Sequence, residues 1–286
     1  RQGLALQQPH QGLGQHGRLL VRRLCTRRHQ GLALTLRTGC AIAHRKNGRP
    51  VGPHRIPSVR IVLRKGKSQL HQLHKARIAR RHLIGRLQDI QAGLLRDLKE
   101  IIEHFAASQQ VVLVGHSFGG VVALSYAQRF PDAIAGLVIY ESPMSWESWW
   151  PKDSGGSAAV AVADDPELAA ETFMRRFIGH RRWESLPEST KVQRRSEGEA
   201  LVGELGDIRR VKPWNIELVR GPLMAGYGSL SKPHLQASAE LLGNLPDCRS
   251  VKIEGAHHNA HSGSPDEFVE LLVQPLIQRI VQGTWS

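Results

Sequence analysis

The chain has 286 residues, enough for one large domain with a full core, and its 39 lysines and arginines against 25 acids give a formal charge of +14. Its longest apolar runs, such as residues 158–163, are far too short to span a bilayer, so no membrane partner is expected. Cys25, Cys40 and Cys248 form an odd set with no C-x-x-C spacing, which argues against a disulfide framework or zinc site and for a reducing, cytoplasmic setting.

The charge is unevenly distributed. Residues 1–88 hold 20 of the 39 bases and 8 of the 15 histidines without a single Asp or Glu, while residues 89–286 carry every acid and a net charge of −6. An ordinary globular surface mixes both signs. Residues 1–84 are therefore expected to be a mis-framed translation of the region that should carry the first strands, or a disordered arm, with a genuine basic extension as the alternative. Nucleic-acid binding is disfavoured, because the bases are scattered among Leu, Gly, Gln and His and no Phe, Tyr or Trp is present to stack on bases.

Further along, apolar residues at 87, 90, 94, 98, 101, 102 and 105 follow the helical period and predict a helix over 85–106. "VVLV" at 111–114 has the character of a buried parallel strand. A helix over 121–130, stopped by Pro131, and a strand at 135–140 follow, and this alternation predicts a parallel α/β sheet. Residues 142–215 lack buried-strand signals and read as helical, with Asp165 as N-cap and Pro166 as first residue of a helix to Ile178. The Gly/Ser cluster at 153–157 reads as a loop. "MRRFIGHRRW" and "QRRSEGEALVGELGDIRR" read as mixed-charge faces turned to solvent. The α/β rhythm resumes with a strand at 222–227, a helix at 234–242, a strand at 250–253 and a last helix at 265–281.

The chemistry lies in "VVLVGHSFGG". A strand, then G-x-S-x-G, then a helix is a nucleophile elbow: Ser117 stands on a tight turn, and glycines two residues to either side clear it. The same turn aims the Phe118 N–H at a developing oxyanion. Ser117 needs a base, and "GAHHNAH" offers His257, His258 and His261.

Residues 87–286 resemble the α/β-hydrolase superfamily. "LVGHSFGGVVALSYAQRFPDAIAGLVIYESP" is similar to its stretch from the elbow to the next strand, and "IEGAHHNAHSGSPDEFVELL" to the stretch carrying its catalytic histidine. The resemblance implies a mostly parallel sheet flanked by helices, a core made of residues 85–141 and 216–286, and a helical cap at 142–215. Aligned on Gly255 and Ala256, it places the histidine on His258, with His257 as the alternative and His261 as a loop support or site lining. Most relatives carry the acid after the seventh strand, but no Asp or Glu occurs between Arg220 and Glu240. A subset, including many haloalkane dehalogenases, carries it after the sixth strand, where Glu141 stands. Asp247 and Glu254 are poorer candidates. The second oxyanion donor lies upstream of the elbow in relatives, where His44 in "AIAHRKNGRP" and the stretch 59–68 offer only weak echoes.

His116, Trp146, Trp149 and Trp150 are the candidate substrate contacts, the indoles suggesting an apolar acyl or aromatic group. The expectation is a cofactor-free and metal-free serine hydrolase with a small-molecule ester as its partner, in which Ser117 attacks, His258 shuttles the proton and Glu141 orients it. A Ser nucleophile argues against dehalogenase and epoxide hydrolase chemistry. The alternatives are a truncated or catalytically impaired hydrolase-like protein and, less favoured, a nucleic-acid binder. Oligomeric state is not legible.

Overall fold

The computed structural model describes residues 33–35, 45–46, 49–50, 60–63, 90–106 and 109–285. Six strands form one sheet in the order β1 (Ala33–Thr35), β4 (Arg60–Leu63), β5 (Val111–His116), β6 (Ile134–Tyr140), β7 (Leu223–Gly228), β8 (Cys248–Ile253). From β4 to β8 every pairing is parallel, and β1 is antiparallel to β4. Two short strands, β2 (Arg45–Lys46) and β3 (Arg49–Pro50), pair separately.

These N-terminal strands extend the sequence reading. Strands fall inside the acid-free segment, and β4 pairs along Val111–Val114, so the elbow strand is interior to the sheet. His44, Cys25, Cys40 and residues 64–89 lie outside the described residues, as does the start of the helix expected over 85–106.

Helices cover both faces. α1 (Ile90–Ala106), α2 (Phe118–Arg129) and α8 (Pro233–Gly243) pack on one, while α10 (Pro265–Phe268), a π turn (Val269–Val273) and α11 (Gln274–Gln282) pack on the other. Strand side chains alternate between the two cores. Val111, Leu113, Leu137, Ile139, Leu223 and Ala225 enter the first; Val112, Val138, Tyr140 and Met224 enter the second. All ten are buried, which is why these strands read as continuous apolar runs. Each Val, Leu or Ile buried in this way contributes about 1.5–3 kcal/mol.

Between β6 and β7 the chain makes a helical insertion: α3 (Gly155–Val160), α4 (Pro166–Ile178), α5 (His180–Glu184), α6 (Glu188–Arg195) and α7 (Gly198–Arg210). Asp165 caps α4, its Oδ1 accepting from Leu168 N at 3.0 Å. The Gly/Ser cluster is not wholly a loop. Ser154 caps α3 by accepting from Ser157 N, and α3 begins within the cluster at Gly155. Gly156 packs close to the Arg209 guanidinium, whose Nη2 would lie 2.6 Å from a Cβ at that position.

The mixed-charge faces are only partly solvated, a second departure from the sequence reading. Glu171 accepts from both Arg175 and Arg195 at 2.8 Å, Arg175 also reaches Glu184 at 2.6 Å, and Arg195 reaches Glu188 at 3.0 Å. Both guanidinium groups lie 5.9 Å from the centroid of Trp183, which is fully buried. Both part-exposed guanidinium groups are thus held between this indole and the carboxylates that they bridge.

Candidate active site

Strand β5 delivers Ser117 directly into α2. Ser117 adopts φ 54°, ψ −128°, a left-handed backbone that costs a non-glycine residue of order 1–3 kcal/mol. Its N–H donates to Tyr140 O at 2.9 Å, tying the turn to the next strand. Gly115 is required, since a Cβ there would lie 2.6 Å from Gly120 Cα. The second steric requirement falls on Gly120, where a Cβ would lie 2.7 Å from Ser142 Cβ, and not on Gly119, which faces open space. Phe118 is the first residue of α2, so its N–H has no intrahelical acceptor and stays available at the positive end of the helix.

Strand β6 delivers Glu141 in the same manner, at φ 48°. Glu141 is completely buried. Its Oε1 accepts from Gly228 N at 2.8 Å, at the end of β7, and its Oε2 stands 2.6 Å from His258 Nδ1. A buried carboxylate needs such partners to remain charged. The contact also sets the tautomer: Nδ1 carries the proton and donates it to Glu141, leaving Nε2 as the basic nitrogen of His258. The loop after β8 carries His258, half-buried, beside an exposed His257.

His116, the residue before Ser117, holds its ring centroid 4.5 Å from that of His258 and 4.4 Å from that of His261. Three sequence motifs from the ends of β5, β6 and β8 thus converge on one point at the C-terminal edge of the sheet. The Ser117 hydroxyl makes no hydrogen bond among the described residues; such contacts commonly tighten only with substrate bound.

The sequence model described as "Alpha/beta hydrolase family" matches residues 16–271. The chain belongs to that family. The match begins well upstream of residue 87 and takes in most of the acid-free segment. A pimeloyl-[acyl-carrier protein] methyl ester esterase of Aromatoleum aromaticum is 26% identical over 197 residues, covering 60% of this chain and 74% of its own length. A protein of the same description from Yersinia pseudotuberculosis is 29% identical over 203 residues, covering 66% and 78%. Among solved structures, a carboxylesterase of Nitrososphaera gargenis superposes with a TM-score of 0.51 at 16% identity, covering 70% of this chain and 75% of its own, which speaks for the fold alone.

In this alpha/beta hydrolase the other expected site residues divide. Trp146 meets Trp214 edge-on at 5.2 Å and packs on the core. Trp150 is buried and donates Nε1–H to Ser154 Oγ at 3.3 Å. Only Trp149, 40% exposed, presents its indole to solvent. Asp247 and Glu254 are engaged elsewhere. Asp247 accepts from Arg279 Nε and Nη2 at 2.8 Å each and from Trp285 Nε1 at 2.7 Å, while Glu254 pairs with Lys252 at 2.6 Å.

Two site residues carry no local sequence signal. His234, in the first turn of α8, meets the Trp150 ring edge-on at 4.5 Å. Burial, followed by the Lys232 charge, pushes its imidazole below the usual histidine range, and it also feels the charges of Glu141 and His258. Phe177, near the end of α4, places its ring edge-on to His258 at 5.1 Å. Among the described residues no group of three or more His, Cys, Asp or Glu is placed to hold a metal ion, and no helix is long and apolar enough to cross a membrane.

Proposed function

We propose that this alpha/beta hydrolase is a serine esterase that cleaves a small or medium carboxylic ester through an acyl-enzyme. One observation carries the reading: Glu141 Oε2 stands 2.6 Å from His258 Nδ1, at the sheet edge where the neighbouring strand ends in a serine held at a left-handed elbow. His258 Nε2 takes the Ser117 proton as Oγ adds to the ester carbonyl, and the Phe118 N–H steadies the resulting oxyanion. The tetrahedral adduct collapses as His258 returns the proton to the departing alkoxide. Water then repeats the sequence on the acyl-enzyme and releases the acid. Glu141 stays ionised throughout and stabilises the imidazolium.

The Aromatoleum and Yersinia relatives are methyl ester esterases, which supports a small leaving alcohol. The insertion over 142–215 acts as a cap, with Phe177 brought against His258 and Trp149 at the rim. A cytoplasmic location is part of the same reading and rests on the odd set of three cysteines without C-x-x-C spacing; burial, then Asp247, pushes the Cys248 thiol up to about 12.

A fluorophosphonate probe and p-nitrophenyl butyrate test the proposal. The chain is expected to label stoichiometrically and to turn over, and Ser117→Ala to do neither. A folded chain that neither labels nor turns over overturns it in favour of a catalytically impaired member of the family.

A further inference from the structure

The two strands that end at Ser117 and Glu141 each place one more polar side chain at the same edge. His116 is the last residue of β5 and Tyr140 the last of β6, and the two are register partners in the ladder. His116 Nε2 lies 2.8 Å from the carbonyl oxygen of His258, and Tyr140 Oη lies 3.1 Å from that of His257. A carbonyl only accepts, so His116 carries a proton on Nε2 and Tyr140 donates its hydroxyl proton. Consecutive carbonyls of the base loop are therefore held by the residues immediately before the nucleophile and the acid.

Two further backbone bonds hold the loop at the carbonyls before His258. Its start is held by Leu230 N–H on Ala256 O at 3.0 Å, and its end by Ala260 N–H on His257 O at 3.1 Å. What the backbone bonds leave unfixed is His258 itself. A single Nδ1 contact to Glu141 lets the imidazole pivot about that bond, and Nε2 would then swing relative to Ser117.

We propose that His116 and Tyr140 are positioning residues, forming a two-point clamp on the His257–His258 backbone that holds the His258 imidazole in line with Ser117. The clamp rests on the triad reading above. It gives His116 a role distinct from substrate contact, and its ring adds packing between those of His258 and His261. Tyr140 suits a permanent donor: it is fully buried, and burial followed by the Glu141 carboxylate holds its hydroxyl far above the usual tyrosine range.

The test uses the full chain, with active sites titrated by fluorophosphonate so that kcat is counted per competent site. Ser117→Ala is measured first; if it retains turnover, the triad reading falls and the clamp with it. With that reading standing, His116→Leu and Tyr140→Phe are expected to lower kcat on p-nitrophenyl butyrate by about 10-fold or more, toward the roughly 100-fold cost of a 1 Å misplacement. KM is expected to stay within about 2-fold, because no substrate contact is lost. His116→Gln, whose amide can donate to the same carbonyl, is expected to recover most of kcat. Unchanged kcat in both single variants, or no recovery in His116→Gln, overturns the clamp. A raised KM at unchanged kcat in His116→Leu returns His116 to substrate binding and overturns it too.

Discussion

Glu141 and His258 are 117 residues apart in the chain and 2.6 Å apart in space. Both ends of that contact are constrained. The carboxylate is fully buried with its other oxygen on the Gly228 N–H, and the imidazole belongs to a loop anchored on Tyr140, His116 and the post-β7 turn. Replacing Glu141 by Gln keeps the shape but removes the charge and lets the amide donate toward Nδ1, favouring the wrong tautomer. Glu141→Gln is expected to lower kcat by roughly 10³- to 10⁴-fold with KM little changed. Steady-state kinetics on p-nitrophenyl butyrate check this, and a loss under about 10-fold would remove Glu141 from the triad.

His257 and His258 are adjacent in sequence and opposite in environment. One is exposed, and the other is half-buried between Glu141, His116 and Phe177. His258→Ala is expected to abolish the acyl-enzyme burst. His257→Ala is expected to leave kcat/KM within about 3-fold, because the Tyr140 contact is to its carbonyl and survives the change. Stopped-flow measurement of the p-nitrophenol burst in both variants distinguishes the two histidines.

Asp247 tests the opposite end of the sheet. It closes a latch in which its carboxylate receives both Arg279 and Trp285, with Arg249 and Arg279 lying over the indole. Asp247→Ala removes the charge-assisted partners of that latch and is expected to cost about 1–3 kcal/mol of stability. Turnover per titrated site should stay at the wild-type level. Urea unfolding midpoints and kcat, measured on one preparation, separate the two effects. A kcat deficit with unchanged stability would place Asp247 in the catalytic chemistry instead.

Much of this was legible in the chain because it is local. Ser117 announces itself through four apolar residues, two flanking glycines and a helix, all within one strand-turn-helix unit. The proposed acid is legible only through the family resemblance, which in a subset of relatives puts a carboxylate after the sixth strand, where Glu141 follows the run "GLVIY"; the stretch after β7 holds none. His258 emerged only by alignment, since spacing alone left three histidines equal. What stayed hidden is non-local. Tyr140 looks like one more apolar strand residue, and nothing in sequence says that its hydroxyl meets a carbonyl 117 residues away. Phe177 reaches His258 only because the insertion folds back over the sheet edge, and His234, on α8, meets Trp150 of that insertion. The arginines of α4 and α6 read as solvated because their guanidinium groups, Glu171 and the indole of Trp183 come together only in three dimensions.

That arginine cluster makes the insertion sensitive to acid. Burial alone would raise the Glu171 pKa, but Arg195 and Arg175 outweigh it and hold the carboxyl below its usual value; Arg175, foremost, does the same for Glu184. With folded-state pKa values below the unfolded ones, both groups stabilise the fold at pH above the ordinary carboxylate range. That contribution is lost as pH falls from about 4.5 through the depressed values. Thermal melts are expected to lose midpoint below about pH 4.5, modestly because solvent screens these part-exposed pairs, and Glu171→Gln to flatten that part of the profile while lowering the midpoint at pH 7. A Glu171→Gln profile parallel to wild type would show that the pairs add nothing to the acid response.

Phe177 joins the insertion to His258. Its ring stacks on Phe173 at 5.8 Å and 8°, its edge meets the His258 imidazole at 5.1 Å, and α4 ends two residues later at Gly179, whose φ of 88° stops the helix. At 41% exposure the ring gives little to stability, so truncation should shift the unfolding free energy by less than about 1 kcal/mol. It does occupy volume directly over the base. Phe177→Ala is expected to raise kcat/KM for a hexanoyl p-nitrophenyl ester relative to the acetyl ester by roughly 10-fold, the discrimination typical of one or two methylene-sized contacts. If both esters change by the same factor, the ring shields the imidazole without selecting the acyl chain. If neither changes, the contact with His258 has no part in catalysis, and the insertion governs access through other side chains.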